Sequence, residues 1–126
     1  LGDLTAQFEF TGFELVRGNH DILPAADYER VGIRLHRTGL REGPFLFSHH
    51  PLTEIPAGCY NLAGHVHPAV RLHGPARQRA KLPCFFFGPD QALLPAFGQF
   101  TGTQVVAPRE GDQVYVIVEE EVVRVG

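Results

Sequence analysis

Short apolar runs separated by glycine, proline and polar residues dominate the hydrophobic pattern of this chain. Helical periodicity is weak: it extends over 3–8, one turn at 25–30, and a further turn within 91–98 that Pro95 limits. The apolar runs predict strands at Phe13–Val16, 32–36, 44–48, 59–63 and 82–87, a strand starting at Val105, and a terminal hairpin of Gln113–Val118 with 121–125. We therefore expect a strand-rich α/β fold.

Composition narrows the class of protein. The chain has 126 residues, of which 44% are hydrophobic and 20% charged, as is typical of one globular domain. No apolar run approaches the ~20 residues of a membrane helix. Cys59 and Cys84 lie outside any CxxC motif and indicate neither a disulfide framework nor a zinc knuckle. We predict a single domain over 1–126, cytoplasmic and without a membrane partner.

Charge is unevenly distributed along the chain. The formal net charge of -3 excludes a generally basic nucleic-acid coat, yet 71–81 holds four basic side chains and no acid. Ten of the eleven basic residues in the chain are arginine, which suits bidentate phosphate binding. The basic stretch is either such a phosphate-binding segment or a solvated turn before a core strand. Glu119, Glu120 and Glu121 predict a solvated hairpin turn.

Three loops carry residues suited to metal binding or proton transfer, and each follows a predicted strand. They are Gly18-Asn19-His20-Asp21, Ser48-His49-His50-Pro51 and Gly64-His65-Val66-His67-Pro68, and they contain five of the seven histidines. Alone, a GNHD segment is also compatible with a tight turn, and an HxH pair arises by accident. Together, at strand ends, the three loops predict a metal site whose imidazole and oxygen donors suit manganese, iron or zinc.

The order of these motifs resembles the calcineurin-like metallophosphoesterase superfamily. Later segments are similar to its DNA ligase-associated branch, PdeM: Arg77-Gln78-Arg79, Leu82-Pro83-Cys84-Phe85, Leu94-Pro95-Ala96-Phe97-Gly98 and Phe100-Thr101-Gly102. The likeness extends from about Phe13 to the C-terminus. It implies a metallophosphoesterase-type β-sandwich flanked by helices, here incomplete at its N-terminus.

The resemblance also implies a set of metal ligands. Asn19, His49 and His65 would hold the second of two divalent ions, and His67 would reach the first. Manganese is the expected metal, with iron or zinc as alternatives. The superfamily also uses an upstream DxH and a GD whose aspartate bridges the metals. No DxH precedes Gly18, and Asp3 is either that bridging ligand or part of the helix that follows it.

Further roles follow from the same resemblance. His20 would protonate the leaving oxygen, and Asp21 would hold the His20 imidazole in the required tautomer. His50 either supports the metal ligands without binding the metal itself or is an exposed loop histidine. Arg77 and Arg79 would bind substrate phosphate.

The implied activity is metal-dependent hydrolysis of phosphodiesters, by a DNA-directed phosphoesterase or endonuclease in repair. DNA is the expected substrate, and a DNA ligase and a helicase of the same repair system are the expected partners. Because the first metal motif is missing, we expect the chain alone to bind metal weakly and to hydrolyse nothing. Two alternatives remain: a small-molecule phosphomonoesterase or phosphodiesterase, and a non-catalytic interaction module on the same scaffold.

Overall fold

The computed structural model describes residues 12–19, 21, 23–97 and 102–126. Its elements in chain order are β1 (Phe13–Val16), α1 (Ala25–Arg30), β2 (Ile33–His36), β3 (Leu40–Glu42), β4 (Phe45–Ser48), β5 (Tyr60–Ala63), β6 (Pro68–His73), a 3-10 turn (Pro75–Arg77), β7 (Arg79–Phe87), β8 (Gln91–Leu93), β9 (Gln104–Val105), β10 (Gln113–Val118) and β11 (Glu121–Arg124). The chain is thus strand-rich with little helix.

A two-stranded parallel sheet forms the first part of the described chain. β1 pairs with β2 from Phe13 opposite Ile33 to Val16 opposite His36. Parallel strands need a crossover connection, and α1 supplies it here. Tyr28 of α1 and Ile33 of β2 are both buried, so the helix packs back onto the sheet that it connects.

A larger mixed sheet carries the remaining nine strands of the described chain. Seven lie in the order β11-β10-β7-β8-β5-β4-β3, and β6, off this path, pairs with both β7 and β9. Within it, β4, β5 and β8 run parallel to one another. Their carboxyl ends therefore lie at one edge, where functional loops of α/β proteins gather. The residues that follow these ends are His49, Gly64 and Leu94.

The longest strand, β7, joins two parts of this sheet. Its first half, Arg79 to Pro83, pairs with β6, and its second half, from Cys84, pairs with β10. The change of partner falls at Pro83, which has no N–H to donate to a ladder. Around this point lies the buried core, formed by Val70, Cys84, Val114 and Val116.

Most strand predictions are confirmed, since β1, β2, β4, β5, β7 and the β10–β11 hairpin all lie where apolar runs occur. The strand predicted to start at Val105 is instead the two-residue β9, which ends there. The strand-rich α/β fold and the helical turn at Ala25–Arg30 are confirmed as well. Glu119, with φ 55°, begins the predicted hairpin turn. The helical segment predicted at 3–8, with Asp3, lies outside the described residues.

The helical turn predicted within 91–98 is wrong for its first part. Gln91–Leu93 is strand β8, held between β5 and β7 by ladders on both sides. Tertiary pairing overrides a local helical preference in so short a segment. The basic stretch also differs from a simple turn, because most of it forms the β6–β7 hairpin. In the described part of the chain, no helix is long and apolar enough to cross a membrane.

Candidate metal centre

The side chains of Asn19, His49 and His65 meet at the ends of three strands. Nε2 of His49 lies 2.7 Å from Oδ1 of Asn19 and 3.1 Å from Nδ1 of His65. Asn19 follows β1, His49 follows β4 and His65 follows β5. The three residues expected to share one metal are therefore in contact, although 30 and 16 residues separate the bonded pairs.

The donor atoms fit a divalent cation. Metal–nitrogen and metal–oxygen bonds of about 2.0–2.2 Å at right angles place neighbouring ligand atoms roughly 3 Å apart. The distances of 2.7 and 3.1 Å around His49 Nε2 match that spacing. An amide oxygen with imidazole nitrogens is a donor set for manganese, iron or zinc. This cluster can hold one such ion.

His50 joins the same cluster. Its ligand atom lies with those of His49 and His65 inside a group whose members are all within 4.8 Å of one another. The His50 ring centre is 4.2 Å from that of His65 and 4.7 Å from that of His49. His50 is solvent-exposed, which was one of the two alternatives for this residue. It nevertheless borders the candidate metal position.

The surroundings of His49 favour the neutral form of its imidazole. Partial burial, which disfavours the charged ring, lowers the pKa of His49, and the neighbouring His50 and His65 rings lower it further. The carboxylate of Asp21 acts in the opposite direction with a smaller effect on the pKa. A neutral imidazole keeps a lone pair for a metal, so this environment favours ligation.

Asp21 fixes the turn after β1. Its Oδ2 accepts a hydrogen bond of 2.8 Å from the backbone N–H of Gly18. The backbone N–H of Asp21 in turn donates to the Gly18 carbonyl oxygen at 3.2 Å. These bonds close the turn that presents Asn19. His20, the expected proton donor, lies outside the described residues.

The loop after β5 places both of its histidines in left-handed backbone conformations. His65 has φ 63° and His67 has φ 53°, while Val66 N–H donates to the Gly64 carbonyl oxygen at 2.7 Å. Such conformations cost of order 1–3 kcal/mol each in a residue other than glycine. Strain of this kind gathers at functional sites, where the surrounding structure imposes it.

His67 points its ring to a different partner. Its Nδ1 lies 3.0 Å from the carbonyl oxygen of Gly102, to which it donates as the Nδ1–H tautomer. This bond leaves Nε2 as the free donor, an arrangement common among metal-binding histidines. His67 does not belong to the group of His49, His50 and His65. Its expected role at a separate metal stays a prediction.

A buried amide supports the loop that carries His49, and the sequence analysis missed it. Asn61 is fully buried, and its Nδ2 donates to the Leu46 carbonyl oxygen at 2.8 Å and to Ser48 Oγ at 2.9 Å. Its Oδ1 accepts from Leu52 N–H and from Gln91 Nε2. Asn61 thereby ties both sides of the loop to the sheet. The available signal was a lone polar residue within the apolar run 59–63.

The two predicted phosphate-binding arginines lie away from this cluster. Arg79 pairs with His73, at the far end of the β6–β7 hairpin from His67. Five strand residues at ~3.3 Å each put that end about 17 Å from the start of β6. Arg77 stands in the 3-10 turn beyond it. Most of the basic stretch therefore lies along the hairpin, with Arg79 at the end farther from His67.

Comparison with known proteins adds one informative likeness. No protein-family model matches the chain, and no curated protein matches it either. Among solved structures, it is similar to the crystal structure of Pseudomonas putida nuclease MPE, with a TM-score of 0.74 and 30% sequence identity. The alignment covers 98% of this chain and 59% of that one, so the chain spans about three fifths of that nuclease.

Proposed function

We propose that this chain contributes to a metal-dependent phosphodiesterase that cleaves nucleic acid. The observation that carries the proposal is the convergence of Asn19, His49 and His65 at the carboxyl ends of three strands. The likeness of the chain to Pseudomonas putida nuclease MPE supports a nucleic-acid phosphodiester as the substrate. Within this class, we assign the protein to the DNA ligase-associated metallophosphoesterase branch.

We assign two divalent ions, with manganese first and iron or zinc as alternatives. Asn19, His49 and His65 hold one ion, and His67 contributes to the other through the Nε2 atom that its bond to Gly102 leaves free. Two ions in such a site supply Lewis acidity and an activated water. The contribution of these residues is to fix the coordination geometry.

His20 and Asp21 supply the proton-transfer chemistry. In the sequence, His20 lies between Asn19 and Asp21, two residues of the turn after β1. In our proposal its imidazolium donates a proton to the leaving oxygen, and Asp21 favours that charged form. The bond between Asp21 and Gly18 N–H keeps the carboxylate at a fixed place in the turn.

Arg77 and Arg79 contact the polymer at a distance from the scissile bond. Arg79 lies at the far end of the β6–β7 hairpin, about 17 Å from the start of β6 by the rise of five strand residues, and Arg77 follows in the 3-10 turn. At that distance they meet phosphates several nucleotides away. Each contact adds a salt-dependent term to DNA affinity and leaves cleavage of a small diester unaffected. In repair, the proposed partners are a DNA ligase and a helicase.

The decisive assay is manganese-dependent hydrolysis with protein produced from its complete reading frame. Substrates are bis(p-nitrophenyl) phosphate, single-stranded DNA and duplex DNA. We expect cleavage of all three substrates to require manganese. His20→Ala should reduce kcat by about 10²–10⁴-fold, the usual contribution of a general acid. His49→Ala should abolish activity together with metal binding, whereas His73→Ala, at the far end of β6, should leave hydrolysis of the small diester unchanged.

Other outcomes would contradict the proposal in distinct ways. Hydrolysis of small esters without DNA cleavage would indicate a small-molecule phosphoesterase. Absence of all hydrolysis, with a biological role that survives His20→Ala, would indicate an interaction module. Salt dependence provides a further check, because Arg77→Gln and Arg79→Gln should weaken DNA binding and reduce its salt slope.

A further inference from the structure

Two arginines stand side by side next to the imidazole cluster, and neither is among the residues assigned above. Arg17 and Arg37 each follow the last residue of a parallel strand, Val16 of β1 and His36 of β2, which are opposite each other. The backbone N–H of Arg17 donates to the His36 carbonyl oxygen at 2.9 Å, which continues the pairing by one residue. The strand register therefore imposes this juxtaposition.

Both arginines line one cavity with the histidine loop. The cavity has a volume of about 390 Å³, and its lining also includes Ser48, His49 and His50. Volumes of this order are typical of small-ligand sites. His49 and His50 belong to the candidate metal centre, so the arginines face the region in which a substrate phosphate must lie.

Neither guanidinium has an acidic partner within the part of the chain that the structure describes. The ion pairs found there involve Arg30, Arg34 and His36 instead. Two neighbouring cations without a counter-charge repel each other, and an anion between them removes that repulsion. Planar guanidinium groups also match the oxygens of a phosphate in a bidentate geometry.

Arg17 is held in place before any ligand binds. Its Nε donates to the Asp21 carbonyl oxygen at 3.1 Å, and its Nη2 donates to the carbonyl oxygen of Leu23. These bonds leave Nη1 available and immobilise a side chain that otherwise has much rotamer freedom. Arg37, in contrast, is exposed. One arginine is thus preorganised and the other is free to close on a ligand.

We propose that Arg17 and Arg37 form the binding site for the phosphate group of the substrate, beside the metal centre. The proposal rests on the proposed function, because that function supplies the phosphoester. It differs from the roles of Arg77 and Arg79, since the Arg17–Arg37 site acts on small phosphate esters as well as on DNA.

The test compares Arg37→Gln with Arg34→Gln in the protein produced from its complete reading frame. Arg34 is a matched control because it lies on β2, three residues before Arg37, and its side chain is exposed. Arg34→Gln removes the same charge as Arg37→Gln. Inorganic phosphate is the probe, measured by its inhibition constant and by calorimetry on manganese-loaded protein. Arg37→Gln should weaken phosphate binding and raise the KM for bis(p-nitrophenyl) phosphate by about tenfold, as expected for one charge-assisted contact.

Arg17→Lys supplies a second variant, which keeps the positive charge and loses the planar guanidinium that binds phosphate in a bidentate geometry. It should also raise the KM, and manganese affinity should stay unchanged in all three variants. Equal phosphate affinity in Arg37→Gln, Arg34→Gln and the unmodified protein would overturn the proposal. If the unmodified protein hydrolyses no phosphoester but binds phosphate in an Arg37-dependent manner, the proposed function fails and the phosphate site is supported.

Discussion

The imidazole of His49 packs directly against the backbone of Gly18. A β-carbon built on Gly18 would lie 2.7 Å from both Cε1 and Nδ1 of the ring, closer than side chains approach one another. Its other neighbour would be Oδ2 of Asp21, at 3.2 Å. The loops after β1 and β4 therefore approach each other so closely that a side chain at this position would require the His49 ring to move. This approach is what brings Asn19 within reach of His49.

Gly18→Ala should displace the His49 ring and weaken manganese binding by about tenfold or more, because a ligand moved by a fraction of an ångström loses much of its bond energy. Manganese affinity measured by calorimetry checks this expectation. Gly12→Ala is the control, since nothing lies within 4 Å of the β-carbon it would add. Equal affinity in the two variants would show that the ring moves aside without cost.

Manganese should raise the thermal stability of the protein, since the proposed ligands join three loops that are distant in sequence. At about 100 times its Kd, a ligand that binds only the folded state adds about 2.7 kcal/mol. Several degrees of Tm are therefore expected from manganese, and a chelator should remove them. His49→Ala should lose the gain, whereas His73→Ala should retain it. A gain that persists in His49→Ala would place the ion elsewhere.

Asn61→Ala should destabilise the fold and loosen the histidine loop. The substitution removes both hydrogen bonds that Nδ2 donates and leaves Leu52 N–H without its amide acceptor. We expect a loss of about 2–4 kcal/mol in the free energy of unfolding, measured by urea titration. Manganese affinity should fall as well, under conditions where the variant is still folded.

The matched control for this substitution is Gln113→Ala, which removes an exposed amide from β10. It should change the unfolding free energy by less than about 0.5 kcal/mol. If Asn61→Ala were equally mild, the buried network would not be the support that its geometry indicates.

Stability should fall in alkaline solution because of the buried thiol of Cys84. Burial raises the pKa of Cys84 from its ordinary 9.0 to about 11. Between these two values the unfolded chain has lost the proton while the folded chain keeps it, so rising pH favours unfolding. The contribution of the protonated Cys84 thiol to the free energy of unfolding is fully present below pH 9. Roughly 2–3 kcal/mol of that free energy is lost by pH 11.

Urea titrations from pH 8 to 11 on the unmodified protein and on Cys84→Ala measure this difference. Tyr60, whose pKa burial also raises, titrates in both proteins and so cancels in the comparison. Cys59→Ala should keep the full pH dependence. Parallel curves for the unmodified protein and Cys84→Ala would contradict the expectation.

Local pattern was sufficient for the strands with continuous apolar runs. Phe45–Ser48 and Tyr60–Ala63 are short runs of mostly apolar residues, and such runs are typical of sheet strands. It was insufficient for Gln91–Leu93, a three-residue strand whose conformation depends on ladders to β5 and β7. A segment this short carries no period of its own, so its partners decide its structure.

The residue types alone allow the chemical character of the site to be predicted: three loops with amide and imidazole donors, each after an apolar strand. Which of these donors meet depends on the tertiary structure. Parallel pairing brings the ends of β4 and β5 to one edge, and close packing at Gly18 brings Asn19 to them. The pairing of β1 with β2 sets Arg17 beside Arg37, which no local motif indicated. Donor type is a property of single residues, whereas distance between them depends on strand register and loop packing across the whole chain.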